Sequence, residues 1–259
     1  MAFKNPMDMT GRNIMVTGAG QGLGKATAEL LYSLGANLTL LDLNEGMLEA
    51  MASSFEAERV LTRAGSVTDR EFLQSLVDEA AGKFSGIHGL VNNAGVTRPA
   101  MIEKMSMEAW NTVVEVNLTG VFNCLQIVGA DMLRRARAGE PAPGAIVNVS
   151  SDAGRKGTVG QINYGAAKAG VLGLTMSAAR EWGRFGIRVN SVCYGVVETE
   201  MTTVVRSEKF RDKYLSNIPM GRFLTAEEAA NSICFLISAA AVHVTGQHLS
   251  VNGGSHMGG

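Results

Sequence analysis

What most constrains this chain is one unit of local pattern that keeps returning: an apolar run, a turn of small residues, then apolar residues at helical spacing. Its first instance covers residues 13–16, passes through TGAGQGLG and continues as Leu23, Ala26, Leu30 and Leu34 before Gly35. Apolar residues three and four apart line one face of a helix, and a glycine just beyond the last of them stops it. A second apolar run, 37–41, ends at Asp42. The spacing then predicts a helix over 45–57, a strand over 59–62, a helix over 69–84 and a strand over 88–91 that ends in NNAG. A long helical stretch over 107–138, strand AIVNVS, a helix over 161–185, strand IRVNSVC, a helix over 226–238 and a last strand over 247–251 complete the series. Strands alternating with helices predict an α/β fold, a doubly wound parallel sheet covered on both faces with right-handed crossovers. The 259 residues suit one domain spanning 1–259.

Ligands of such sheets bind beyond the carboxyl ends of the strands. TGAGQGLG, LLD, NNAG, VSS and CYGVVET all fall at or just after expected strand ends, so one edge of one sheet gathers them.

In TGAGQGLG the spacing that matches is T-G-x-x-x-G-x-G, through Thr17, Gly18, Gly22 and Gly24. Glycines there permit a tight turn and close backbone approach, and a pyrophosphate meets the positive end of the following helix. Asp42 lies 18 residues beyond Gly24, near the interval expected of a carboxylate that hydrogen-bonds an adenosine ribose. A carboxylate there repels a 2′-phosphate. The neighbouring Gln21, Leu43 and Asn44 supply no compensating cation, so the expected cofactor is NAD rather than NADP. Asp42 also suits a second role, as a cap for the helix that starts near Asn44.

Net charge is −1 with no long run of one sign, which argues against a nucleic-acid footprint or a membrane-surface patch. Arg134, Arg135 and Arg137 form the one local exception and read as a solvated helix end. Cys124, Cys193 and Cys234 are far apart and lack metal-ligand spacing, so neither disulfides nor a metal site is expected. The N-terminal MAFKNPMDMTGR lacks the apolar core of a signal peptide, and the apolar-rich stretch SICFLISAAAVHV is too short to span a bilayer. A cytoplasmic protein is the expectation. The tail GGSHMGG contains GSHM, a sequence of the kind cloning leaves behind, and no function is expected of it.

Within NYGAAKAG, Tyr164 and Lys168 stand one helical turn apart and so share a face. Alone the pair is equally a solvated surface contact, just as Ser151 alone is a loop cap and Asn117 alone a buried amide. Together these residues describe chemistry. Interconverting a ketone and a secondary alcohol needs a positioned acid/base and an anchor for the substrate oxygen. A phenol is too weakly acidic for that work unless a nearby ammonium stabilises its anion, so Lys168 is expected to lower the pKa of Tyr164.

The combination of TGAGQGLG, NNAG, Asn117 in NLTG, Ser151 in NVSS and Tyr164/Lys168 in YGAAK resembles the short-chain dehydrogenase/reductase family, whose usual interval separates Ser151 and Tyr164, 13 residues. The resemblance runs from about Arg12 to Gly254. It implies a Rossmann-type fold, catalytic Asn117, Ser151, Tyr164 and Lys168, and a cofactor held by Gly18, Gln21, Gly22, Leu23, Gly24, Asp42 and Leu43. It extends that binding set to Val67, Asn93, Ala94 and Gly95, to Tyr164 and Lys168 themselves, and to Val197 and Thr199 near the carboxamide and phosphates. It also implies that Ser151 hydrogen-bonds the substrate oxygen, that Lys168 holds the nicotinamide ribose, that Asn117 links the lysine to solvent through water, and that the chain is a homotetramer.

Departures from the family pattern bear on the substrate. Tyr194 stands where relatives commonly have proline, and it reads either as a substrate contact or as a tolerated change. Ser66 replaces the usual Asp beside Val67. Residues 196–220 are a candidate lid, in which Met201 and Val205 are either pocket lining or core. General likeness points to 3-oxoacyl-[acyl-carrier-protein] reductases, typically NADPH enzymes, but Asp42 conflicts with that cofactor and Arg134, Arg135 and Arg184 match the carrier-binding residues only loosely. An NAD-linked enzyme acting on a small-molecule secondary alcohol, polyol or hydroxyacyl compound fits as well. A non-catalytic NAD-binding scaffold or sensor is the alternative of another class, and the presence of both Tyr164 and Lys168 speaks against it.

Overall fold

A computed structural model describes residues 5–258; residues 1–4 and 259, the outer ends of the expected domain and part of the N-terminal stretch read for a signal, lie outside it. Seven parallel strands, β1 Asn13–Thr17, β2 Asn37–Asp42, β3 Val60–Ala64, β4 Gly89–Asn92, β5 Gly144–Ser151, β6 Ile187–Tyr194 and β9 His248–Val251, form one sheet. Their order across it is β3-β2-β1-β4-β5-β6-β9. A small separate pair, β7 Val197–Glu198 and β8 Leu224–Thr225, lies outside that sheet.

Alternation along the strands distributes the core. Ile14, Val16, Leu38 and Leu40 face one side, where α1 (Gly22–Ser33) and α9 (Ala226–Ile237) cover them. Met15, Leu41, Leu90, Ile146 and Val189 face the other, under α3 (Arg70–Phe84), α5 (Gly120–Arg137) and α7 (Ile162–Trp182). Every residue of β1 is buried, as a strand covered on both faces requires. Helix starts follow local chemistry: Asn44, Asp69 and Ser106 each accept the amide hydrogen three residues on, opening α2 (Glu45–Ala52), α3 and α4 (Met107–Val114).

Several boundaries differ from the periodicity. The helix expected over 45–57 stops at Ala52, where the Ser53 and Ser54 hydroxyls donate to the carbonyls of Ala50 and Met51 and divert the backbone. The stretch expected as one helix over 107–138 is α4, a π-helical turn at Glu115–Thr119 and then α5. This run, Met107–Arg137, is long and apolar enough by length and composition to cross a membrane, unlike the shorter stretch SICFLISAAAVHV. Here it is a core helix: Val121, Cys124, Leu125, Val128 and Met132 are buried in the α3/α5/α7 cluster. In the candidate lid, a segment without a clean period contains a helix, α8 (Glu208–Leu215).

Candidate active site

The carboxyl ends of β1, β2, β4 and β5 open onto a cavity of about 380 Å³. Gly18 and Gly22 adopt left-handed backbone, φ 64° and 54°, between the end of β1 and the start of α1. Side chains strain there, which is why the turn is glycine. No acidic residue occupies the first turn of α1 and no side chain caps it, so its amide hydrogens and positive dipole end face the cavity unopposed. Gly24 does a different job from the one expected of it. It does not border the cavity; a Cβ there would lie 1.9 Å from the Gly18 carbonyl oxygen, so its bareness lets the helix press against the turn.

NNAG clasps this turn from the next strand. Thr17 Oγ1 accepts the amide hydrogens of Asn93 (3.1 Å) and Ala94 (3.0 Å), and Asn93 Nδ2 donates to the carbonyls of Thr17 and Gly18 (3.0 Å each). Asn93, Ala94 and Gly95 line the cavity. The clasp by Thr17 has a sequence signal only in hindsight, as the threonine that opens T-G-x-x-x-G-x-G.

Asp42 ends β2 with both carboxylate oxygens engaged: Oδ2 accepts from Gly20 N at 2.9 Å and Oδ1 from Asn44 N at 3.0 Å. The cap of α2 is Asn44, not Asp42, so the helix-cap alternative for Asp42 falls. Leu43, 73% exposed, borders the rim beside it. Val67 is buried at the same end, while the Ser66 hydroxyl is turned inward to Thr68 and shapes the loop.

The opposite end of the cavity holds the remaining residues. Ser151 closes β5, and its Oγ accepts the Ala153 amide hydrogen at 3.1 Å. Tyr164 and Lys168 project from α7 one turn apart, with Nζ 5.6 Å from the phenol ring centroid. Lys168 is buried and donates to the Val149 carbonyl at 2.8 Å. Asn117 sits in the π-helical turn, its Nδ2 donating to the Val96 and Val113 carbonyls at 2.9 Å each. π-helical turns frequently mark functional positions. Its Oδ1 is buried without a partner among the described residues. A Cβ on Gly95 would lie 2.5 Å from that oxygen and 3.7 Å from Lys168 Nζ, so amide and ammonium flank one glycine.

The electrostatics depart from expectation. Burial pushes the Tyr164 phenol up to about 12, opposed by the adjacent Ser151 hydroxyl and not by the lysine. Burial pulls Lys168 down to about 8. The ammonium donates to the sheet carbonyl of Val149, and the Tyr164 phenol, expected below its ordinary value, is raised by burial instead.

Other expectations change with the geometry. Val197 and Thr199 line the cavity, and Thr199 Cγ2 stands 3.3 Å from where a Gly22 Cβ would be. Tyr194 is buried and its hydroxyl bonds the Ala229 carbonyl (2.8 Å) and Ser232 Oγ (2.7 Å), tying β6 to α9. It borders the cavity, but its polar end is directed into the core and not toward a substrate. Arg135 is buried in a network with Asp131, Glu140 and the carbonyls of Ile87 and Pro143, and Arg134 pairs with Asp131. Ile87 and Pro143 precede β4 and β5, so these arginines lie at the opposite end of the sheet from Ser151; Arg184, just before β6, lies there too. They are no carrier-binding patch for this site.

A second cavity, about 410 Å³, shares Ser151 and Tyr164 and extends toward α8. Met201 and Val205 are on its wall, as are Asp152, Lys156 and Ser255. The tail set aside in the sequence is thus tied in: Ser255 Oγ donates to Asp152 Oδ2 at 2.8 Å, and Arg155 donates to the Gly258 carbonyl.

The residues present fit a dinucleotide. An uncapped helix start lies among bare glycines at one end, and at the other a buried amide oxygen without a partner among the described residues flanks Gly95 together with an ammonium.

Comparison with known proteins bears on the same span. A family model described as enoyl-(acyl carrier protein) reductase matches residues 18–256. The 3-oxoacyl-[acyl-carrier-protein] reductase FabG of Thermotoga maritima is 41% identical over 250 residues, covering 96% of this chain and 99% of the relative. The Staphylococcus aureus (strain Mu50) protein of the same name is 38% identical over 254 residues, covering 97% and 100%. Among solved structures, a short-chain dehydrogenase/reductase SDR:glucose/ribitol dehydrogenase from Brucella melitensis superposes with a TM-score of 0.90 at 32% identity, covering 97% of this chain and 99% of that one. Levodione reductase superposes with a TM-score of 0.88 at 32% identity, covering 95% and 98%.

Proposed function

The chain belongs to the short-chain dehydrogenase/reductase family, and from that premise we propose that it interconverts a ketone and a secondary alcohol with NAD, using Tyr164 as acid/base. The observation that carries this reading is convergence: Ser151, Tyr164, Lys168 and Asn117 border the same cavity as the glycine turn and Asp42.

When bound, the nicotinamide cofactor accepts or supplies the hydride. In the direction of oxidation the alcohol C–H bond breaks with its electron pair, and the O–H proton passes to the Tyr164 phenolate; reduction reverses both. Ser151 holds the substrate oxygen by a hydrogen bond. Lys168 carries a positive charge one helical turn from Tyr164 that favours the phenolate, and Asn117 Oδ1 offers an acceptor through which water relays the proton. The neutral phenol, held near pKa 12, is the form ready to donate in ketone reduction at neutral pH.

Asp42 supports NAD: a 2′-phosphate placed at the end of β2 meets a carboxylate already fixed by two backbone amides. Residues 196–220 close over the substrate as a lid. Association into a homotetramer belongs to the same reading and rests on the resemblance to the family. The reading places the enzyme in the cytoplasm, acting on a small molecule without nucleic acid or membrane.

A second reading, an NADPH-dependent 3-oxoacyl-[acyl-carrier-protein] reductase, is favoured by the names of relatives matching almost the whole chain. One experiment separates them. Turnover is measured with NAD(H) and NADP(H) against a panel of secondary alcohols, ketones and a 3-oxoacyl thioester. NAD-linked alcohol turnover is the expected result, and a clear NADPH preference with the thioester transfers the assignment to the second reading.

A further inference from the structure

Directly after Ser151 the chain forms a short helix, α6 (Ala153–Lys156), preceded by Asp152. Asp152 and Lys156 are four residues apart and face each other, Nζ to Oδ2 at 3.3 Å. Both border the 410 Å³ cavity onto which Ser151 and Tyr164 also open. An ion pair therefore stands in the wall next to the residues assigned to the chemistry.

Its hydrogen bonds leave a specific capacity. Asp152 is 5% exposed. Its Oδ2 accepts from Ser255 Oγ (2.8 Å), Lys156 (3.3 Å) and Asn252 Nδ2 (3.1 Å), whereas among the described residues Oδ1 accepts only from Asn252 Nδ2 (2.9 Å). A carboxylate oxygen has two lone pairs, so Oδ1 retains acceptor capacity. Lys156 is anchored by the Ser255 carbonyl at 3.1 Å, with its side chain still 37% exposed. Thr97, Thr158, Gln161 and Asn217 add hydroxyl and amide groups to the same wall. An acyl chain entering here would strip water from a charged pair and return nothing to it. A hydroxyl group donates to the carboxylate and accepts from an ammonium or a hydroxyl at once.

We propose that Asp152, Lys156 and Ser255 form the polar end of the substrate site and bind a hydroxyl group of the substrate, so that the substrate class is a small polyhydroxylated alcohol or ketone. This rests on the ketone/alcohol reading above. It also gives the tail a purpose, because the bonds that Asn252 and Ser255 make to Asp152, with Arg155 and Lys156 adding theirs, bring Ser255 to the cavity.

The test uses the full chain with NAD and compares kcat/KM for alcohols matched in carbon number: butane-2,3-diol against butan-2-ol, and a pentitol against pentan-2-ol. The hydroxylated member is favoured by on the order of 10², the discrimination expected of a site built to hydrogen-bond a hydroxyl. Lys156→Met and Asp152→Asn each reduce that ratio by about tenfold or more, chiefly through KM, while the Kd for NAD measured by fluorescence titration stays within about twofold. Asp152→Asn weakens the clasp on the tail, so Lys156→Met, which leaves the Asn252 and Ser255 bonds to Asp152 intact, keeps the test decisive if the first variant fails to fold. A wild-type preference for the less hydroxylated member, or a ratio untouched by Lys156→Met, overturns the proposal. Turnover of none of these alcohols or their ketones overturns the underlying reading instead.

Discussion

The carboxylate of Asp42 accepts the amide hydrogen of Gly20 at 2.9 Å, bridging the end of β2 and the turn that begins α1. One side chain therefore fixes the shape of the glycine turn and sets the charge at the rim where an adenosine ribose belongs. These two roles separate by mutation. Asp42→Asn keeps an acceptor for Gly20, gives up the bond from the Asn44 amide and removes the charge, so its Tm should fall by only a few degrees while the preference for NAD over NADP, read as the ratio of kcat/KM values, relaxes by about tenfold. An unchanged ratio would show that the carboxylate does not select the cofactor.

Tyr164→Phe deletes one oxygen from a partly buried ring. Folding and NAD affinity should survive, and turnover should fall by a factor of about 10² or more, the share assigned to general acid/base catalysis. In the wild type, kcat/KM for alcohol oxidation should climb with pH, because the phenol is held near 12 and the base is its anion. Residual oxidation by Tyr164→Phe should lose that climb. A steep pH dependence that persists in the variant assigns the proton to another group.

Lys168 is a buried ammonium, and its burial has a consequence for stability. Its folded-state pKa of about 8 lies below the unfolded 10.5. Below pH 8 both states are charged and the full penalty, about 3 kcal/mol, falls on the folded protein. Between 8 and 10.5 only the unfolded state keeps the proton, so the penalty fades as pH rises. Lys168→Met should thus be inactive yet more stable than the wild type at pH 7, by about 2 kcal/mol after loss of the Val149 hydrogen bond. Thermal melts at pH 7 and pH 10 should show the advantage shrinking. An advantage that grows with pH contradicts a charged, desolvated lysine.

Two glycine-to-alanine changes should separate scaffold from chemistry. In Gly24→Ala the new methyl falls 1.9 Å from a backbone oxygen that cannot move aside, so the turn must deform and NAD binding should be lost together with several degrees of Tm. In Gly95→Ala the methyl meets a side-chain oxygen, Asn117 Oδ1, at 2.5 Å. Displacing it should lower kcat by about tenfold or more with a smaller change in Tm. Equal effects of the two changes on Tm and kcat would remove the distinction.

The alternation of strands and helices was legible because burial on both faces demands continuous apolar runs such as NIMVT, and helices demand spacing by three and four. Gly18, Gly22 and Asp42 were legible because backbone sterics and charge restrict what such positions hold, and the Ser151-to-Tyr164 interval followed from the family pattern. Other assignments could not be read locally. The extra helical residue that carries Asn117 into the site depends on how α4 and α5 pack on α7. The direction of the Tyr194 hydroxyl depends on α9, some 35 residues further along the chain. Arg134 and Arg135 suit a solvated helix end by sequence, whereas the fold buries Arg135 and sets both at the end of the sheet away from Ser151, and a tail without motif puts Ser255 on the wall of the second cavity. The parallel α/β scaffold and the identities of the reactive groups follow from local sterics, periodicity and residue chemistry, and a single strand of letters carries all three. How buried each group is, what it faces and therefore which proton it holds come from packing, because desolvation and hydrogen bonding are supplied by residues far away in the chain.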